Sequence, residues 1–327
     1  MSQTISMKAP MQSDVFSANQ FQASPSCACA ACGSQGPFLP ALDILLRCSQ
    51  CDFIFADPQL SYEELIHLYG TSYFTGDEYI DYVGDKDAVQ RSFRKKVAHM
   101  TKTAPHIKRV FEIGAAYGFF LELAKEQWEV AGIDIAEEPT THARDRLRLN
   151  VLTGDFLTTP MTPGYFDTFC MWDTIEHLAR PDAYIKRVAE LIAPGGNIFI
   201  TTGDIDSTVA RRKGRSWRLI HPPTHLFYFS RTTLSRMLER YGFRVRSITA
   251  MGVHRSLRQT IYSLFIQRHP RLRPLYDLFA ATPLGRLSYY LNLGDIMIVT
   301  AQFTGISLSS SEAECMKQER PRQLNQI

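Results

Sequence analysis

Five short runs rich in β-branched and aromatic residues, at 108–113, 129–135, 150–152, 168–172 and 197–202, alternate with helical stretches at 118–126, 139–149 and 181–192. Strands separated by helices are not joined by hairpins. Each connection must cross back over the sheet, so the alternation calls for a parallel sheet covered by helices on both faces. The pattern breaks after residue 202. A helix capped by Ser230 and stopped at Tyr241-Gly242 leads into a strand at 243–250, and a last strand covers 295–303. The expected fold class is therefore α/β, a doubly wound, mostly parallel seven-stranded sheet. Between the last two strands, residues 253–293 carry apolar side chains at helical intervals (Leu257, Ile261, Leu264, Phe265), which predicts a helical insertion.

The first strand-to-helix turn carries the densest chemical signal, Val110-Phe-Glu-Ile-Gly-Ala-Ala-Tyr-Gly118. Glycine has no Cβ, so backbone N–H groups and a helix N-terminus can close on a polar ligand there. An ordinary tight turn needs the same two glycines, and context separates the readings. Gly132-Ile-Asp134 ends the next strand and places a carboxylate 20 residues after Gly114, where a doubly wound sheet offers it to a ribose diol. A pyrophosphate turn requires G-x-G-x-x-G; here Ala115, Ala116 and Tyr117 separate Gly114 from Gly118, which disfavours a dinucleotide.

In these residues the chain resembles the class I S-adenosylmethionine-dependent methyltransferases, whose first motif reads (E/D)-x-G-x-G-x-G. Glu112, Gly114 and Gly118 match, and Ala116 replaces the middle glycine. The likeness continues through Gly154-Asp155-Phe156, Met171-Trp-Asp-Thr-Ile-Glu-His177-Leu and Leu191-Ile-Ala-Pro-Gly-Gly196, and covers residues 107–243. It implies a Rossmann-like methyltransferase fold with S-adenosyl-L-methionine as cofactor. On this resemblance Glu112 and Gly114 border the methionine part, with Ala116 and Gly118 completing the turn. Asp134, followed by Ile135, holds the ribose, Asp155 and Phe156 border the adenine, and Asp173 opens the loop facing methyl donor and acceptor. Methyl transfer expels a neutral thioether, so positioning and desolvation supply much of the acceleration. An alcohol or acidic carbon acceptor also needs a base, and His225 and His177 are the catalytic candidates. His225 is preferred, because a His-Leu-x-x-Phe-Ser segment commonly lies by the acceptor pocket in this family. Either ring could instead tie down its own loop.

Seven cysteines are present, and five of them, Cys27, Cys29, Cys32, Cys48 and Cys51, fall within 25 residues. Cys29-x-x-Cys32 and Cys48-x-x-Cys51, with 15 residues between the pairs, have the spacing of a four-thiolate zinc site. Four thiolates leave no open position, so the Zn2+ would be structural. Cys27 could take the place of Cys29, and Cys170 reads as a small core residue. The order of cysteine knuckles, Phe53-Ile-Phe-Ala-Asp-Pro58, Glu63-Glu-Leu-x-x-Leu-Tyr69 and Tyr73-Phe74 resembles bacterial methyltransferases with a zinc ribbon ahead of the catalytic domain. Many of those act on sugars, nucleotide sugars or lipid-linked glycans. Their carbon-methylating branch carries Glu where this chain has Thr224, and a further C-terminal domain that this chain ends too early to hold, so an oxygen acceptor is expected.

The domain plan that follows has a tail at 1–26, a zinc-ribbon segment at 27–58 and a helical linker or lid at 59–105, with helices at 61–69 and 87–103. A methyltransferase domain at 106–304 and a second tail at 305–327 complete it.

The 36 basic and 33 acidic residues give a net charge of +3, which excludes an architectural nucleic-acid protein. Residues 205–290 nevertheless hold 16 Lys and Arg against three acids, a local balance of +13. Such a stretch suits a phosphate-bearing acceptor or an anionic membrane surface, and flotation with anionic vesicles at low salt tests the second. A solvated basic face would look the same. No apolar run reaches the ~18 residues of a membrane span, and residues 1–26 lack a secretory pattern, so a cytoplasmic location is expected, with peripheral membrane contact as an option. The expected partner is a small-molecule, sugar or lipid-linked glycan acceptor, with a quinone as the alternative; oligomeric state is not legible. Nucleic-acid methylation is disfavoured, because Trp172-Asp-Thr-Ile stands where an Asp/Asn-Pro-Pro-aromatic signature would grip a base. An inactive cofactor-binding module is the reading from another class, and intact Glu112, Gly114, Asp134 and Asp155 argue against it.

Overall fold

A computed structural model describes residues 28–56, 82–266 and 269–305. Cys27, the expected helix at 61–69, the first tail and all of the second beyond Gly305 lie outside these residues. A hairpin of β1 (Phe38–Ala41) and β2 (Leu45–Cys48) precedes β3 (Ile54–Phe55) and helix α1 (Lys86–Thr103). The alternating region follows as β4 (Arg109–Ile113), α2 (Phe119–Ala124), β5 (Glu129–Asp134), α3 (Glu137–Leu147), β6 (Val151–Thr153), β7 (Thr168–Trp172), α4 (Pro181–Leu191) and β8 (Asn197–Gly203). Then come α5 (Thr208–Lys213), β9 (Phe227–Tyr228), α6 (Arg231–Arg240), β10 (Phe243–Ala250), β11 (Val253–Ser256), α7 (Leu257–Ile261), α8 (Arg273–Ala280), β12 (Ser288–Leu291) and β13 (Ile296–Phe303).

The main sheet has seven strands in the order β10-β13-β8-β7-β4-β5-β6. The five strands from β8 to β6 run parallel, and β13 and β10 join antiparallel at one edge. The central strand β7, Thr-Phe-Cys-Met-Trp, is buried at every position, as a parallel strand with helices on both faces must be. Because side chains alternate along a strand, Phe111, Ile113, Phe169 and Met171 face one way, against Ile185 and Val188 of α4 and Leu234 and Met237 of α6. Val110, Cys170 and Trp172 face the other, against Val97 and Met100 of α1 and Phe120 and Leu121 of α2. Cys170 is thus a core residue. Helix α6 starts where expected: the Ser230 hydroxyl accepts from Thr233 N at 3.1 Å while Ser230 N donates to Thr233 Oγ1 at 2.9 Å, a reciprocal cap.

Two parts of the domain plan need correction. Helix α1 is not a linker or lid, because it covers one face of the main sheet with Val97 and Met100. The insertion is not wholly helical: its ends pair as β11 and β12 in a separate two-stranded sheet, with Val253 opposite Leu291. The cysteine segment is tied into the later domain. Its β3 pairs antiparallel with β9 of the later domain, Ile54 opposite Tyr228 and Phe55 opposite Phe227, giving a four-stranded sheet β1-β2-β3-β9. Phe53 is fully buried, stacked on Phe227 at 5.8 Å and against Phe229 at 5.1 Å.

Candidate active site and the cysteine cluster

The chain reverses its direction across the sheet at β4, with β5 and β6 on one side and β7 and β8 on the other. At that reversal the carboxyl ends of the strands open into a crevice, the usual ligand position in such sheets. A cavity of about 290 Å³ lies there. Its wall contains Glu112, Gly114, Ala116, Asp134, Ile135, Asp155, Phe156, Asp173 and His177, so nearly all the sequence-derived residues meet in one place. Gly118 is not in the wall; it opens α2 in a left-handed conformation (φ +74°), where an added Cβ would meet Leu149 at 2.6 Å. Gly114 (φ +81°) leaves room for the β7 loop, since a Cβ there would fall 2.6 Å from Thr174. Ala116 holds φ +44° without the freedom of glycine, a strain of about 1 kcal/mol.

Asp134 holds this turn in place. Its Oδ2 accepts from Ala116 N at 2.8 Å and its Oδ1 from Ala136 N at 2.9 Å. Burial raises its pKa, opposed by those N–H donors. Each carboxylate oxygen keeps a lone pair for a further donor such as a sugar hydroxyl. Glu112 is 2% exposed, and its Oε2 has no hydrogen-bond partner. Burial pushes its carboxyl well above the ordinary range, with Lys96 acting in the opposite direction. An orphaned buried oxygen in a cavity wall is a group awaiting a ligand donor. These residues fit a cofactor that carries a ribose diol and an ammonium group. Asp155 is partly committed elsewhere: its Oδ1 accepts from Leu157 N at 2.9 Å and from the Tyr184 hydroxyl at 3.0 Å. The Phe156 ring is buried against Phe111, Phe169 and Tyr184.

Lys96 is the site residue the motifs did not reveal. It projects from α1, is 4% exposed, and donates to Asp173 Oδ2 at 3.0 Å and Thr201 Oγ1 at 3.1 Å. Its ammonium lies 5.0 Å from the Trp172 ring and 5.1 Å from that of Phe93. One signal could have found it, a lysine set in the apolar stripe of Phe93, Val97 and Met100 at helical spacing. The bond from Lys96 anchors Asp173, which sits at φ +52° and whose N–H donates to Thr201 Oγ1 at 3.0 Å.

The two histidines lie in series. His177 is in the cavity wall; His225 is not, and lies behind it, 7% exposed, its ring centre 4.6 Å from that of His177 and 3.9 Å from that of His221. His177 Nδ1 contacts Thr224 O at 2.8 Å and His225 Nδ1 contacts Leu219 O at 2.9 Å. Burial holds His177 down to about 4, and holds His225, with His177 and His221 beside it, still lower. By position, His177 rather than the preferred His225 borders the cavity. Glu176, in the same short turn as His177, is 4% exposed, and burial pushes its carboxyl up to about 8.

Away from the cavity, the thiols of Cys29, Cys32, Cys48 and Cys51 lie within 4.8 Å of one another. The Cys29–Cys51 and Cys32–Cys48 sulfur separations are 3.6 and 3.8 Å, too long for disulfides. Four sulfurs about 2.3 Å from a tetrahedral ion would stand roughly 3.8 Å apart, so the donor set fits zinc. The basic stretch is partly structural. Arg218 pairs with buried Asp295 at 2.9 Å, Arg231 with buried Asp204 at 3.1 Å and Arg258 with Asp85 at 2.8 Å. Among the described residues no helix is long and apolar enough to cross a membrane.

Residues 86–248 match the family model described as Methyltransferase domain. The chain is 28% identical over 174 residues to the ubiquinone biosynthesis O-methyltransferase of Aliivibrio fischeri, covering 48% of this chain and 72% of that protein. To the protein of the same name from Aeromonas salmonicida it is 30% identical over 103 residues, 29% of this chain and 43% of that one. The chain spans about half the length of several of these curated relatives, 46% of the Pectobacterium atrosepticum protein for example. A solved SAM-dependent methyltransferase from Archaeoglobus fulgidus overlays with a TM-score of 0.45 at 20% identity, covering 74% of this chain and 100% of that chain. Together with the sheet, the glycine turn and the acid that closes β5, the family match shows that the chain carries a class I S-adenosylmethionine-dependent methyltransferase domain.

Proposed function

We propose that this domain transfers the methyl group of S-adenosylmethionine to a hydroxyl oxygen of a small-molecule acceptor. The observation that carries the reading is the pairing of Asp134, poised by two backbone N–H groups, with the orphaned Glu112 in one cavity wall. Asp134 would hold the ribose and Glu112 with the Gly114 turn the methionine end; when bound, the cofactor supplies an electrophilic methyl group. The chain's own residues do the rest. Asp173, fixed by Lys96, sets the shape of the β7 loop, while Trp172 and Phe93 help exclude water. His177 presents a neutral imidazole to the cavity. Relatives named for ubiquinone biosynthesis support an oxygen acceptor of hydroxylated quinone type. The second reading, a sugar or lipid-linked glycan, rests on the cysteine segment and the basic stretch. A structural zinc at Cys29, Cys32, Cys48 and Cys51 belongs to the same proposal, supported by the sulfur spacing.

The test is incubation with methyl-labelled S-adenosylmethionine and three acceptors: a short-chain hydroxylated quinol, a nucleotide sugar and single-stranded RNA. Label is expected in an acid-stable ether of the quinol. Label only in the nucleotide sugar favours the second reading, and label only in RNA overturns both.

A further inference from the structure

We infer that Glu176, His177 and His225 bind a divalent first-row transition-metal ion beside the cofactor cavity. The site stands on its own geometry; only its role rests on the methyltransferase reading above. One nitrogen of each imidazole and one carboxylate oxygen lie within 4.8 Å of one another. The two rings meet edge to face, with their planes at 77°. A carbonyl oxygen can only accept, so the contacts of His177 Nδ1 with Thr224 O and of His225 Nδ1 with Leu219 O put the ring protons on Nδ1. Nε2 of each ring then carries the lone pair. This is how an outer hydrogen bond orients a metal-binding imidazole.

The carboxylate gives independent support. Glu176 is 4% exposed, yet its Oε2 has no hydrogen-bond partner. A buried carboxylate oxygen seldom goes unpaired without a ligand to meet. The backbone fixes the three groups together: Glu176 and His177 share one short turn, and Leu226 N, next to His225, donates to Glu176 O at 2.8 Å. Two imidazoles and one carboxylate suit Mn2+, Fe2+, Co2+ or Zn2+ rather than Mg2+ or Ca2+, and leave coordination positions open.

His177 belongs both to this cluster and to the cavity wall, so an open position would adjoin the acceptor. There the ion holds the acceptor hydroxyl and lowers its pKa. The O–H proton passes to solvent water and the oxygen lone pair forms the bond to the methyl carbon. The carbon–sulfur bond breaks with its electron pair remaining on sulfur.

The experiment is Co2+ titration of the full chain, with bound metal measured per chain and the visible spectrum recorded. Wild type is expected to bind one equivalent without thiolate charge-transfer bands, in addition to any held by the cysteines. Glu176→Gln and His225→Gln are each expected to weaken that equivalent at least tenfold while leaving the thiolate bands unchanged. Methyl transfer by wild type should rise at least tenfold on loading. Cobalt binding by wild type through thiolate bands alone overturns the site, whatever the variants do. An unchanged second equivalent in both variants also overturns it, and equal transfer rates with and without the ion overturn its role. Failure of wild type to bind S-adenosylhomocysteine would instead sink the methyltransferase reading and leave the site standing.

Discussion

Lys96→Met is expected to destabilise the protein by about 3 kcal/mol, because it leaves Asp173 without its buried counter-charge beside Glu112 and Glu176. The figure sits at the low end for a broken buried pair, since the Asp173 side chain is 40% exposed while that of Lys96 is 5% exposed. In a domain of this size the midpoint of thermal unfolding should fall by roughly 6–12 °C. Methionine keeps the apolar stem against Phe93 and Trp172, so Lys96→Ala should cost more, and the difference measures packing alone. The functional effect is predicted to be separate from the stability effect. With the bond to Asp173 lost, the β7 loop relaxes and affinity for S-adenosylhomocysteine should fall roughly tenfold at a temperature where both variants are folded. A Lys96→Met protein with unchanged melting temperature and affinity would show that the ammonium is a bystander.

The cysteine cluster is expected to control more than its own segment. Purified protein should contain zinc at one equivalent per chain in that cluster, and Cys48→Ser should lose it. Zinc at such sites supplies folding free energy directly, on the order of 10 kcal/mol in isolated zinc fingers. Cys29, Cys48, Cys51 and Phe53 share one core with Phe229, Leu234 and Met237. Strand β3 also holds β9, and the Ala56 N–H donates to Leu226 O at 2.8 Å. Loss of the ion should therefore free the segment carrying His221, His225 and Phe227, read as new proteolysis near residues 220–230 and a fall of at least 10 °C in melting temperature. Cofactor affinity should change little, because Asp134 and the Gly114 turn are held by β4 and β5 and by the Ala116 and Ala136 N–H groups. Protection at 220–230 equal to wild type would show that the cysteine segment is only appended.

The fold was largely legible because its signals are local and repeated. Strand β7 spans the residues expected at both ends, β10 likewise, and the Ser230 cap placed the start of α6. The insertion misled because its strands β11 and β12 are four residues each and far apart in sequence, so neither carries a period that betrays the pairing. Strand β9 has only two residues, and its partner β3 lies more than 170 positions earlier, which no pattern reports. At the site, motif order correctly gathered Glu112, Gly114, Asp134, Asp155 and Asp173 around one cavity. Motif order carries no depth, so it does not tell that His177 borders the cavity while His225 lies behind it. Lys96 escaped because it precedes the first motif and a lysine on a helix is ordinarily solvated.

The central claim is that the crevice at the carboxyl ends of β4, β5 and β7 holds the methyl donor through Asp134. Calorimetric titration of S-adenosylhomocysteine into wild type and Asp134→Ala addresses it most directly. One equivalent is expected to bind wild type, and affinity in the variant should fall roughly 100-fold, about 2.7 kcal/mol, as charge-assisted bonds and the tether to Ala116 are lost together. No heat with wild type, or equal affinity in the two proteins, would contradict it.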